Sequence, residues 1–251
     1  MDSSERLDDF DITPMSFRGR TREVLVAKAT GRPVIVLHEI FGMRPAVLAF
    51  ARLLVDAGFK VYLPVLFGPS EPGGKLRGAL AFVCVAHQFR LLSNNDPGPW
   101  ADWIRDLASF AWTAGGPGKG VGVIGMCVTG NLALSAALNP HVTAPVMSEP
   151  SLPLFRAGGL HVSEDELSTV KMRVTEEGLV IRGYRFQRDW VCKQARFDEL
   201  KGKFGTGFEG IVIPAESPML HSVFAEQLRD GDGNFRHGEL TTLIEYLSAR
   251  I

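Results

Sequence analysis

The 251-residue chain lacks a strong charge of either sign, because its formal net charge is −1 and its isoelectric point is near 6.6. A chain without a basic field has little long-range attraction for nucleic acid or for an anionic membrane surface. We therefore expect neither nucleic acid nor a membrane among its partners.

Cysteine is scarce as well. The three cysteines, Cys84, Cys127 and Cys192, form no C-x-x-C pair, which argues against a disulfide framework and against a zinc ribbon. Free thiols are typical of a reducing compartment. The sequence therefore predicts a cytoplasmic protein.

The N-terminus lacks the basic and apolar segments of a signal peptide. Residues 120–148 lack Asp, Glu, Lys and Arg over a length that could cross a bilayer. Glycine, asparagine and proline interrupt this segment where elements would end. We interpret it as a strand, a helix and a second strand. Both strands would belong to a parallel sheet whose two faces are covered.

Short apolar runs alternate with helical stretches along the chain, which favours an α/β fold with an open, mostly parallel sheet flanked by helices. Residues 1–17 are polar and acidic, and we expect them to form a loosely held lead-in to a single domain over 18–251. Helices are also predicted within 76–95 and at about 221–230.

The most informative segment is G-M-C-V-T-G over residues 125–130. A β-branched apolar run precedes it and a helical stretch follows it, which is the context of a nucleophile elbow. Such a turn presents one side chain above the carboxyl edge of the sheet, next to the N–H groups of a helix N-terminus. Here that residue is Cys127, and a thiol in this position is biased toward its reactive thiolate.

A nucleophile on an elbow needs a base, and the base needs an acid to orient it. His221 follows the last predicted strand, where the base of such a site belongs. Asp189 and Glu149 are competing candidates for the acid, because each lies at the end of a predicted strand. Asp189 could equally be a helix cap, and Glu216 and Asp198 are weaker alternatives. Glu39 would face the elbow from the end of another strand.

Two other motifs compete with this interpretation. Residues 120–125 match the G-x-G-x-x-G fingerprint of dinucleotide-binding domains, with Glu149 at about the spacing of a ribose-binding acid. The glycines lie within the predicted strand rather than at a helix start, which argues against this function. His38-Glu39 begins an H-E-x-x-H zinc motif, but Gly42 occupies the second histidine position.

The chain resembles the dienelactone hydrolase family of α/β-hydrolases. The resemblance rests on five segments in family order: V-I-V-L-H-E-I-F-G over 34–42, G-M-C-V-T-G over 125–130, R-F-Q-R-D over 185–189, R-F at 196–197 and H-S-V at 221–223. The resemblance implies a doubly wound α/β-hydrolase fold and hydrolysis of a small ester or lactone through a cysteine thioester. It implies no metal and no organic cofactor.

The resemblance also assigns roles. Cys127 would be the nucleophile, His221 its base and Asp189 the orienting acid, while Glu39 would contact the resting thiol and release it when substrate arrives. Backbone N–H groups of Ile40 and Val128 would form the oxyanion hole. Four residues are candidates for the substrate pocket: Phe41, Met126, Trp190 and Arg90. Phe224 is a further candidate for an apolar wall, and the alternative for Phe41, Met126, Trp190 and Phe224 is a place in the core.

Two positions depart from the family pattern. Thr129 replaces a glycine of the elbow, and Ala225 replaces an arginine that holds the substrate carboxylate in the type enzymes. Arg90, Arg185 or Arg188 could take over that contact. A protein with this fold that binds a small molecule without turnover is the remaining alternative.

Overall fold

The computed structural model describes residues 7–70, 98–115, 118–228 and 237–251. Their strands are Phe10–Phe17 (β1), Arg20–Ala27 (β2), Arg32–Leu37 (β3), Phe59–Pro64 (β4), Val121–Met126 (β5), Val142–Ser148 (β6), Ile181–Phe186 (β7) and Phe208–Ile213 (β8). Their α-helices are Pro45–Asp56 (α1), Pro99–Gly115 (α2), Gly130–Ala136 (α3), Glu164–Glu177 (α4), Gln194–Phe204 (α5) and His237–Arg250 (α6). The helix predicted within 76–95 lies outside the described residues.

The eight strands form one sheet in the order β1-β2-β4-β3-β5-β6-β7-β8. The pairs β1–β2 and β2–β4 are antiparallel. The remaining pairs, β4–β3, β3–β5, β5–β6, β6–β7 and β7–β8, are parallel. The expected mostly parallel, doubly wound sheet is therefore confirmed.

Alternating side chains of the central strands bury the two faces of the sheet. On β3, Ile35 and Leu37 pack in a cluster with α2, α3, α4 and α5, whereas Val34 and Val36 pack in a second cluster with α1 and α6. All six residues of β5 are buried. Burial on both faces explains why these strands read as continuous apolar runs in the sequence.

The N-terminal lead-in predicted over residues 1–17 is wrong for residues 10–17. These residues form β1, which pairs with β2 from Phe10 opposite Ala27 to Phe17 opposite Arg20. The connecting residues Arg18 and Gly19 both have positive φ, 50° and 74°, as a two-residue hairpin turn with the twist of the strands requires. An edge strand needs only a few buried apolar side chains, so the polar composition of this segment concealed it.

The described part of the predicted helix at 221–230 is wrong too. Residues 223–227 form turns instead. The Gln227 side chain folds back, and its Oε1 accepts hydrogen bonds from the backbone N–H groups of His221 and Ser222 at 3.4 and 2.6 Å. This local alternative to helical bonding leaves His221 on a loop beyond β8.

Candidate active site

Cys127 lies directly after β5 and begins a 3-10 helix, Cys127–Thr129, that leads into α3. Its φ of 55° is in the left-handed region, where a residue with a side chain stores about 1–3 kcal/mol of strain. The glycines on either side make this turn possible. A Cβ on Gly125 would lie 2.2 Å from the Thr129 carbonyl oxygen, and one on Gly130 would lie 2.7 Å from Pro150 Cα.

Thr129 secures the elbow to the neighbouring strand. Its buried hydroxyl donates to the Leu37 carbonyl oxygen at 2.9 Å and accepts from the Met126 N–H at 2.9 Å. The threonine that replaces the family glycine therefore ties the end of β5 to the end of β3. The nucleophile turn is held by these hydrogen bonds as well as by close packing.

His221 and Asp189 form a direct pair. The Nδ1 atom of His221 lies 2.7 Å from Oδ2 of Asp189, and the Asp189 carboxylate is buried. Its other oxygen accepts from the backbone N–H groups of Val191 and Cys192 at 2.8 and 2.9 Å. Because α5 begins only at Gln194, Asp189 does not cap this helix, and its carboxylate contacts the imidazole and its own loop instead.

Ser151 completes the connection to Cys127, and the sequence analysis missed it. Its Oγ lies 3.6 Å from Cys127 Sγ and 3.2 Å from His221 Nε2. Like Cys127, Asp189 and His221, Ser151 lies beyond the carboxyl end of a parallel strand, in this case β6. That shared position is the signal that could have identified it, because such loops meet above one edge of the sheet.

Glu149 does not contact Nδ1 of His221, the imidazole nitrogen that is hydrogen-bonded to Asp189. One oxygen of its buried carboxyl accepts from the Ser148 hydroxyl and, at 3.2 Å, from the Val223 N–H. Its Oε1 has no hydrogen-bond partner among the described residues. Geometry therefore favours Asp189 over Glu149 as the partner of His221.

Glu39 is buried beside the loop that carries His221. Burial raises its pKa, as does Glu226, whereas a hydrogen bond with Ser222 and the charges of His221 and Arg44 lower it. Its Oε1 also has no hydrogen-bond partner within the described ranges. The expected contact between Glu39 and the resting thiol stays a prediction.

The surroundings of His221 and of Glu149 change the pKa values of both residues. Burial lowers the pKa of His221, but the charges of Cys127 and Asp189 and hydrogen bonds to both leave that pKa well above its ordinary value. Burial raises the pKa of Glu149 to about 8, and nearby Glu39 adds to this effect. The raised pKa favours the protonated imidazole of His221, while Glu149 is held in its neutral form below about pH 8.

A cavity of about 500 Å³ opens above Cys127 and is walled mainly by apolar side chains. Ser151 and His221 line it, as do Ile40 and Val128, whose backbone N–H groups are the predicted oxyanion hole. The predicted contacts Phe41 and Trp190 also lie in its wall and are 44% and 59% exposed. Sequence reasoning did not anticipate Phe155, Arg156 and Lys193 in this wall.

The other predicted contacts need correction. Met126 is buried among the core residues packed against α1 and α6, on the opposite side of the elbow from the cavity, because alternate residues of β5 face opposite ways. Arg185 is buried and donates to the Cys192 carbonyl and the Gln194 side chain. Arg188 donates to the Glu216 carbonyl. Neither arginine lines the cavity, and Arg90 lies outside the described residues.

The two competing motifs have structural explanations. Of the three glycines of the fingerprint, Gly122 and Gly125 lie within β5, and a Cβ on Gly122 would lie 2.8 Å from the Leu247 side chain of α6. Gly122 therefore permits helix packing rather than the approach of a phosphate. The buried His38 ring uses both nitrogens internally, Nδ1 with the Glu39 carbonyl and Nε2 with the Leu66 N–H.

The chain is similar to a known protein family. The family model described as "Dienelactone hydrolase family" matches residues 22–157. No curated protein sequence matches the chain. No helix in the described ranges has the length and apolar character needed to cross a membrane.

Several solved structures share the fold. A dienelactone hydrolase from Anabaena variabilis is 16% identical, with a TM-score of 0.65 and coverage of 96% of this chain and 98% of that one. A dienelactone hydrolase-like promiscuous phosphotriesterase from metagenomic libraries is 17% identical, with a TM-score of 0.63 and coverage of 96% and 98%. A cold-adapted esterase from an Arctic intertidal metagenomic library is 16% identical, with a TM-score of 0.59 and coverage of 95% and 92%.

Proposed function

The chain belongs to the dienelactone hydrolase family, and we propose that it hydrolyses a small ester or lactone through a thioester on Cys127. The observation that carries the proposal is the line of hydrogen bonds from Asp189 through His221 and Ser151 to the Cys127 sulfur, at the mouth of an apolar cavity. Nucleophile, base and orienting acid within hydrogen-bonding reach are the geometric signature of covalent acyl transfer.

The proposed reaction has two stages. The Cys127 thiolate attacks the carbonyl carbon, and the resulting oxyanion accepts hydrogen bonds from the N–H groups of Ile40 and Val128. As the C–O bond breaks, His221 gives its Nε2 proton to the departing alkoxide, which leaves a thioester. His221 then takes a proton from water, the hydroxide attacks the thioester, and the carboxylic acid leaves as Cys127 is restored.

The cavity supports a substrate with an apolar body. Phe41, Trp190 and Phe155 provide aromatic wall, and the family arginine that would hold a substrate carboxylate is replaced by the buried Ala225. Three cations line the wall instead: Arg156 and Lys193 in the loops after β6 and β7, and the buried Arg196 in α5. We therefore propose aryl or alkyl esters and aryl lactones as substrates, rather than a compact anionic dienelactone.

The test is turnover of a panel of p-nitrophenyl esters and aryl lactones by the wild type, Cys127→Ala and Cys84→Ala. We expect Cys127→Ala to lose activity while its circular dichroism spectrum is unchanged, and Cys84→Ala to retain activity. Acid quenching of the wild type during turnover should leave the acyl group on the peptide that contains Cys127, as detected by mass spectrometry. Wild-type rates in Cys127→Ala would refute the mechanism.

The same panel of compounds distinguishes the proposed hydrolase from the alternative, a protein that binds a small molecule without turnover. Saturable binding of an aryl lactone, with no hydrolysis of any compound, would favour that alternative. An aryl phosphotriester belongs in the panel, because one structure with the same fold is described as a promiscuous phosphotriesterase.

A further inference from the structure

Ser151 occupies a position in the site that the Cys, His and Asp roles leave unexplained. It is 1% exposed, and its Oγ lies within reach of both Cys127 Sγ and His221 Nε2. Its backbone N–H donates to the Cys127 carbonyl at 3.0 Å. The next residue is held as well, because the Leu152 N–H donates to the Asn131 side chain. The hydroxyl is thus carried on a fixed backbone rather than on a freely moving loop.

A serine hydroxyl has one proton to donate and lone pairs to accept with. When the His221 ring is protonated, its Nε2–H can donate to Ser151 Oγ, and the hydroxyl proton is then free to point at the sulfur. When the ring is neutral, Nε2 accepts the hydroxyl proton and Oγ can accept from the thiol. The Glu149 carbonyl oxygen, 2.9 Å from Oγ, is the third possible acceptor for that single proton.

We propose that Ser151 is a further catalytic residue, whose hydroxyl donates a hydrogen bond to the Cys127 sulfur and stabilises the thiolate while His221 holds the proton that the thiol has lost. In this step the S–H bond of Cys127 breaks as an N–H bond forms on His221 Nε2, and the O–H bond of Ser151 stays intact. This inference rests on the proposed function only in taking Cys127 as the nucleophile.

Other charged groups also act on Cys127 and His221, and a test of Ser151 must leave these groups unchanged. Asp189, Glu39 and Glu149 interact with His221, while Arg156, Lys193 and Arg196 line the cavity. Replacing Ser151 with another uncharged residue leaves all of them in place. A change in the pH profile of Cys127 would therefore report on the hydroxyl.

The experiment measures the rate at which iodoacetamide alkylates Cys127 between pH 4 and pH 9, followed by mass spectrometry of the peptide. Only the thiolate reacts, so the rate reports its population. For Ser151→Ala we expect a rate at neutral pH that is lower by about ten- to a hundredfold, the range for one hydrogen bond to a charged group, and a midpoint at higher pH. Ser135→Ala removes another buried serine hydroxyl, one that bonds to Glu166, and should leave the profile unchanged.

Ser151→Thr retains the hydroxyl and should restore alkylation to within about threefold of the wild type. Should Ser151→Ala not fold, Ser151→Gly provides the variant without a hydroxyl. An unchanged profile in the variant lacking the hydroxyl, or a threonine variant as slow as it, would overturn the proposal. Because alkylation needs no substrate, the result stands even if no ester is hydrolysed, and the two proposals can fail separately.

Discussion

Glu149→Gln should make the stability of this protein less sensitive to pH. The Glu149 carboxyl is fully buried, and burial raises its pKa from the ordinary 4.5 to about 8. Between these two values the folded protein holds the proton while the unfolded chain has lost it. Protonation therefore favours the folded state at low pH, and stability falls as pH rises through this window.

The size of the effect follows from the pKa change. One pKa unit corresponds to 1.36 kcal/mol, so moving from pH 4.5 to pH 8 removes about 4 kcal/mol of unfolding free energy through this group. For a domain of this size 1 kcal/mol changes Tm by about 2–4 °C. Glutamine has the shape of the neutral acid and cannot ionise. The Tm of Glu149→Gln should therefore exceed that of the wild type by about 8–15 °C at pH 8 and be nearly equal to it at pH 4.5.

The assay is thermal unfolding followed by circular dichroism at half-unit steps from pH 4.5 to pH 8.5. Glu216→Gln is the control, because it makes the same chemical substitution at an exposed glutamate. The difference in Tm between Glu149→Gln and the wild type should grow with pH, whereas the control difference should stay constant. A Tm difference for Glu149→Gln that does not grow with pH would refute the reasoning.

Three further predictions concern activity and the elbow. Asp189→Asn should lower kcat by about 10⁴, as expected when the acid that orients a catalytic histidine is lost. The kcat of Glu149→Gln should remain within about tenfold of the wild type. Steady-state kinetics on an aryl ester compares the two variants, and a larger loss in Glu149→Gln would reassign the acid. Thr129→Val removes the donor to Leu37 and leaves the Met126 N–H unpaired, which should cost about 1–3 kcal/mol in urea unfolding; an unchanged midpoint would contradict the role of the hydroxyl. Trp190→Ala should raise KM for aryl esters more than for alkyl esters, with little change in kcat. An equal change in the two KM values would show that the indole does not contact the substrate.

Local patterns in the sequence were enough to predict most of the parallel sheet and the elbow. Runs such as residues 34–37 and 121–124 are apolar at every position because both faces of the sheet are covered. Ser163 and Glu166 have the S-x-x-E spacing of a capping box, a local motif, and α4 begins at that motif. The polar strand β1 was missed, because its stability comes from pairing with β2 rather than from an apolar run of its own.

The candidate site divides in the same way. Sequence alone predicted that Cys127 lies on a sharp, glycine-flanked turn between a buried strand and a helix, since glycine spacing and apolar runs are local properties. Only the tertiary structure shows that Asp189, rather than Glu149, contacts the His221 ring and that Ser151 lies beside the sulfur, because these residues come from separate loops that meet above the sheet. It also moved Met126 from the pocket into the core. Which way a side chain points at a strand end depends on the packing of distant helices, and no short segment of sequence contains that information.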